Sequence, residues 1–198
     1  MFSARKYKKE PHMNFLAQLW IPILVSAVLV FAASSLIHMV IKWHNSDYNK
    51  FPNEDAVRAA IRAGNPAAQQ YVIPYCADMK AMGTPEMMQK FTEGPIAFVT
   101  LRPPGPPKMG PALMQWFGFS VLISVICAYI AAKTLSDTSS FYQVCRVTGA
   151  LAFLAYGMGG VQQGIWMGRP WGSVAKDLLD AVIYAAIVGA TFAWLWPK

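Results

Sequence analysis

The sequence predicts an all-α membrane protein: a four-helix transmembrane bundle with a mixed extracytoplasmic loop between the first and second helices. Three observations predict it. Only 14% of the 198 residues are charged and 55% are hydrophobic, with a mean hydropathy of +0.32, whereas soluble domains carry about 25% charged residues. Four apolar stretches each reach the roughly 20 residues that cross a hydrocarbon core of about 30 Å. The tryptophans lie near the ends of these stretches, where an apolar ring with a polar N–H suits the membrane interface.

A basic tail, residues 1–14, opens the chain with Arg5, Lys6, Lys8 and Lys9. The first span covers residues 15–41. Small residues at its far end give it a passing likeness to a signal peptide, but its apolar run exceeds the about 7–15 residues of a usual signal core. It is read as an uncleaved anchor. The remaining spans are residues 111–132, 141–166 and 173–196. Helices that are apolar on every side do not suit a soluble bundle.

The loop, residues 42–110, carries two short helices. Asn53 is placed to cap EDAVRAAIRA, Glu54 and Asp55 meet the positive helix end, and Gly64 can stop it. In TPEMMQKFTEG, Thr84 suits the N-cap, Pro85 the first helical position and Gly94 the position after the end. YVIPY and IAFVTL read as short extended pieces. LRPPGPPKMGP, rich in proline, reads as a stiff connector into the second span.

The net charge is +7. Basic residues of membrane proteins collect on cytoplasmic helix ends, so nucleic-acid binding is not expected. The tail, Lys133, Arg146 and Lys198 share one side. The expected placement is therefore the plasma (inner) membrane, both termini cytoplasmic and the long loop outside. Cys76, Cys127 and Cys145 are scattered and form no disulfide or metal pattern. No nucleophile triad, phosphate-cradling loop or HExxH is present, so an enzyme is not the favoured reading.

Polar residues inside apolar spans are costly and mark candidate sites. With Trp43, Trp166 and Trp171 as the outer boundary, His38, Gln162, Gln163 and Asp180 fall in the outer half of the bilayer and form a candidate polar pocket. From His44 to Asp55 the chain reads as a solvated exit. On a straight helix His38 and His44 point about 120° apart, and two ligands do not close a site, so no metal is expected. Haem or pigment ligation at His38 is an alternative, but no second buried histidine is available to sandwich a haem. No cofactor is expected.

Small residues recur every four positions: Gly160, Gly164 and Gly168 on the third span, and Ala181, Ala185, Gly189 and Ala193 on the fourth. Such rows let helix backbones approach closely. They suggest a tight hairpin with a face left for other membrane subunits or a second copy. The leading functional expectation is a structural or accessory subunit of a larger membrane assembly. The alternative is a small transporter or ligand-binding membrane protein that uses the outer pocket.

Overall fold

The computed structural model describes residues 15–197; the basic tail, with His12, and Lys198 lie outside the described residues. Among the described residues, four helices are long and apolar enough to cross a membrane: Phe15–Ile41, Met109–Thr134, Phe141–Met167 and Trp171–Trp194. The chain divides into two compact units, residues 49–107 and the remainder.

The smaller unit holds α2 (Glu54–Ala63), β1 (Gln70–Ile73), α3 (Pro85–Glu93) and β2 (Ala97–Thr100). β1 and β2 pair antiparallel, with Tyr71 opposite Val99 and Val72 opposite Phe98. Thr84 caps α3 by accepting from Met87 N–H, and Gly94 ends it at φ 64°. Asn53 precedes α2 as expected but makes no side-chain cap.

The larger unit is the helical bundle: α1 (Phe15–Leu36), α4 (Met109–Thr134), α5 (Phe141–Met167) and α6 (Trp171–Trp194). α1 packs on α4 and α6, and α4 on α5; the α5–α6 contact is the most extensive. Pro22 lies inside α1, and Leu19 departs from helical geometry at φ −108°, ψ 15°. Proline removes a helical N–H and crowds the preceding turn, which accounts for the kink. The bundle core mixes Val30, Val144, Val188 and Phe192 with Ser26, Ser120, Ser124 and Thr148, all fully buried. Ser26 and Ser124 bond each other across α1 and α4 at 2.9 Å. Short hydroxyl side chains suit such a seam because they let helices close up while staying hydrogen-bonded.

α1 does not run straight to its end. Residues Ile37–Ile41 form a wider π-helical turn, Lys42 adopts the left-handed conformation (φ 58°, ψ 26°), and Trp43–Asp47 form a 3₁₀ turn. The Lys42 N–H donates to Ile37 O at 2.8 Å. The chain therefore folds back onto α6 where the sequence suggested a solvated exit.

The small-residue rows act inside the α5–α6 hairpin, in a register that differs from the expected one. The tightest approach joins Gly149 and Gly189: a Cβ added at Gly189 would lie 2.9 Å from Cys145 O and 3.0 Å from Cys145 Sγ. Next along, Gly157 faces Ala181 and Leu178, Gly160 faces Asp177, and Gly164 faces Trp171 and Val174. Ala185 meets Gly149 through its carbonyl, and Ala193 is buried near the far end of α6. Gly168 is not a packing residue. At φ 67° it caps α5, its N–H donating to Gln163 O, a conformation that glycine adopts without steric cost.

This register predicts opposite outcomes for two glycines. Gly189→Ala forces backbone apart and should destabilise the bundle by about 1–3 kcal/mol, read as a lower melting temperature in detergent. Gly159→Ala, where nothing lies within 4 Å of the added Cβ, should leave the melting temperature unchanged or raise it.

Candidate functional site

The fold-back brings together side chains that are far apart in sequence. His44 Nδ1–H donates to Asp47 Oδ2 at 2.7 Å, and His44 Nε2 lies 3.0 Å from Asp180 Oδ2 on α6. Asp47 is itself fixed by Lys176 Nζ at 2.6 Å and by the Ser173 hydroxyl at 3.1 Å. Lys176 Nζ also donates to Trp43 O at 2.9 Å and to Ser46 Oγ at 2.7 Å. One lysine on α6 thus holds three points of the turn that follows α1. The His38 ring stacks on His44, centroids 4.8 Å apart and planes within 8°. His38 Nδ1 lies 3.0 Å from Ser34 O.

Electrostatics follow from these contacts. Burial pushes the His44 imidazole down, but its hydrogen bonds to Asp47 and Asp180 outweigh burial and hold it above its ordinary value. The Lys176 ammonium, helped by His44 and Ser173 against burial, pulls the Asp47 carboxyl down to about 2. A second ion pair lies beside this network: the Arg169 guanidinium grips both Asp177 oxygens, Nη1 on Oδ2 and Nη2 on Oδ1, the latter at 3.1 Å. Gly160 leaves room for it, since a Cβ there would lie 3.0 Å from Asp177 Oδ2.

A cavity of about 660 Å³ opens next to this network, lined by residues from all four long helices. His38 and Ser34 come from the end of α1, Trp116 from α4, Tyr156 from α5, and Asp180 and Tyr184 from α6. Trp116, Tyr156 and Tyr184 form an aromatic wall, with the two tyrosine ring centroids 5.2 Å apart. Among the described residues, Trp116 Nε1, the Tyr156 and Tyr184 hydroxyls and Asp180 Oδ1 are buried with no hydrogen bond of good geometry, although Ser120 stands beside the Tyr156 hydroxyl and Ser34 and Asp180 beside that of Tyr184. Buried polar atoms without partners are rare in native structures because each costs about 1–3 kcal/mol.

His38 and Asp180 line the same cavity. Gln162 and Gln163 do not; both are exposed. The reason is depth and phase. Gln163 shares the helical face of Tyr156 but lies about 10 Å further along α5 at about 1.5 Å per residue, and Gln162 points about 120° off that face. The sequence reading also missed His44 and Asp47. It treated the helix as straight, which separates the two histidines, whereas the π-helical turn and left-handed Lys42 stack them. HNSD, a short polar run directly after Trp43, was the available signal.

No protein-family model, no curated protein and no solved structure matches the chain.

The lysine bridge can be tested by removing it. Lys176→Met leaves the nearly buried Asp47 carboxylate with one strong partner fewer, and should lower stability by about 2 kcal/mol. Lys42→Gly keeps the bridge while relieving a left-handed residue, and should be neutral or stabilising by up to about 1 kcal/mol. Chemical denaturation of both variants in detergent measures the contrast.

Proposed function

We propose that the chain is a multi-pass membrane protein that binds a small amphipathic molecule in the cavity between α1, α4, α5 and α6. The observation that carries this reading is a cavity whose lining includes four residues with buried polar atoms that make no well-formed hydrogen bond among the described residues: Trp116 Nε1, the Tyr156 and Tyr184 hydroxyls, and Asp180 Oδ1. The volume lies in the range of small-molecule sites, which are apolar with a few convergent polar groups. The ligand chemistry follows from the lining. An aromatic wall suits an apolar or aromatic body, and Asp180 Oδ1 asks for an N–H or O–H donor on it. An ammonium would also gain from the tyrosine and indole faces.

An accessory-subunit role rests on less. Of the glycines that suggested it, Gly160, Gly164 and Gly189 face the α5–α6 contact, while Gly168 caps α5. Orientation is proposed with both termini in the cytoplasm of the inner membrane and residues 49–107 outside. Arg169 and Lys176, at the α5–α6 turn, are each paired with an aspartate, whereas Lys133 and Arg146, at the opposite end, take part in no ion pair among the described residues. Lys42 and Lys108, at the end bearing Arg169, are likewise outside any ion pair among the described residues, so the proposed orientation rests on the basic tail, Arg5, Lys6, Lys8 and Lys9, together with Lys133 and Arg146.

The test is thermal stabilisation of the detergent-purified chain by a panel of arylalkyl amines and alcohols, phenethylamine and phenethyl alcohol first. A ligand at 100 times its Kd adds about 2.7 kcal/mol of stability. Stabilisation that disappears in Asp180→Asn and Tyr184→Phe, and survives in Gly159→Ala, is the expected result. Equal stabilisation in all variants, or none with any member, would count against the cavity as a binding site.

A further inference from the structure

The geometry points to a site for a divalent transition-metal ion, zinc by its donor set, held by His38, His44 and Asp180 at one wall of the cavity. The ligand atoms of these three residues all lie within 4.8 Å of one another. Two imidazoles and a carboxylate match the donors that zinc takes in sites with three protein ligands and one open position.

The His44 imidazole is already oriented for this role, whereas the His38 ring, stacked on it with planes within 8°, has to turn before its nitrogen can share the ion. A carboxylate and a backbone carbonyl can only accept, so the Asp47 and Ser34 oxygens place a proton on Nδ1 of His44 and of His38. That leaves Nε2 of each ring as the nitrogen available to bind an ion. Histidines that bind metals almost always donate their other N–H to a carboxylate or a backbone carbonyl, and here one of each is present. Asp47 does not drift, because Lys176 and Ser173 hold its other oxygen.

Asp180 supplies the independent observation. Asp180 is 6% exposed and is one of the residues lining the cavity, and its buried Oδ1 has no hydrogen-bond partner of good geometry among the described residues. Its Oδ2 lies 3.0 Å from His44 Nε2. Bonds of about 2.0–2.1 Å set the nitrogen and oxygen ligands of a tetrahedral ion about 3.3 Å apart, so this edge of the site is already near its final length. The ion takes the place of the proton between His44 and Asp180, and that proton leaves to solvent. Closing the site needs only a movement of His38, which is exposed and carries no packing load from the core. The fourth position then faces the cavity, where water or the polar head of a bound molecule completes the coordination.

This site shares the cavity and Asp180 with the ligand site proposed above but adds His38 and His44, so the two are told apart by variants that touch only one of them: His38→Ala for the ion and Tyr184→Phe for the amphipathic ligand. The full chain, purified in detergent and stripped with a chelator, is titrated with zinc alone by calorimetry. One ion per chain is expected, with cobalt giving visible absorption bands of a four-coordinate centre. His38→Ala and Asp180→Asn should abolish the isotherm, and Asp47→Asn should weaken binding by about 10–100-fold. His12→Ala, which removes the remaining histidine of the three, should leave it unchanged. Helicity of each variant is checked by circular dichroism, and His38→Ala is the variant least able to disturb the fold. Absence of binding by the folded native chain, or binding indifferent to His38→Ala and Asp180→Asn, would overturn the metal site. Phenethylamine stabilisation is measured on the metal-free chain, so either result stands without the other.

Discussion

The structure depends on how the chain leaves α1. A left-handed non-glycine residue costs about 1–2 kcal/mol, and Lys42 adopts that conformation directly after a π-helical turn. Such geometry persists only where surrounding contacts impose it, and it concentrates at functional sites. Here the imposing contact is Lys176, whose ammonium binds Trp43 O, Ser46 and Asp47 together. Without the fold-back, His44 would point away from the bundle and Asp180 would face the cavity with no partner on either oxygen. With it, two carboxylates, two imidazoles and one ammonium are packed where α1 meets α6.

Close packing elsewhere makes that arrangement possible. α5 and α6 approach through Gly149, Gly157 and Gly164 against Gly189, Ala181 and Val174. Such closeness fixes the rotation of α6, and rotation decides where Asp180 and Tyr184 point. The same rotation turns Lys176 and Ser173 toward the turn after α1. Beside that seam, Trp116, Tyr156 and Tyr184 pack against one another and line the cavity. Small residues on one seam and large ones on the next leave a cavity between them.

Much of this was written in the sequence, and the rest fails for identifiable reasons. The four long helices follow from composition and length, because twenty apolar residues in a row satisfy their backbone only as a helix in lipid. Thr84, Pro85 and Gly94 bound α3 through local capping chemistry, which needs no tertiary information. Asp180 and His38 stand out because ionisable groups are rare in apolar spans. Gln162 and Gln163 stood out on the same ground, yet depth measured from tryptophans is too coarse to tell a cavity residue from one two turns away. His44 and Asp47 were passed over because helical phase was extrapolated through a break. The break is written in no single residue: Lys42 is a poor candidate for a left-handed turn, and only its tertiary partners put it there. The glycine rows were visible, but which glycines meet which neighbours depends on the crossing point, and Gly149 carries no GxxxG spacing to advertise it.

The fold-back requires that His44 and Asp180, remote in sequence, be energetically coupled across the end of the bundle. A double-mutant cycle in the metal-free chain measures this directly: His44→Ala, Asp180→Asn and the double variant, each unfolded by denaturant in the same detergent. A coupling energy of about 1–3 kcal/mol is expected. Additive effects, with a coupling indistinguishable from zero, would contradict the fold-back of the chain after α1 onto α6.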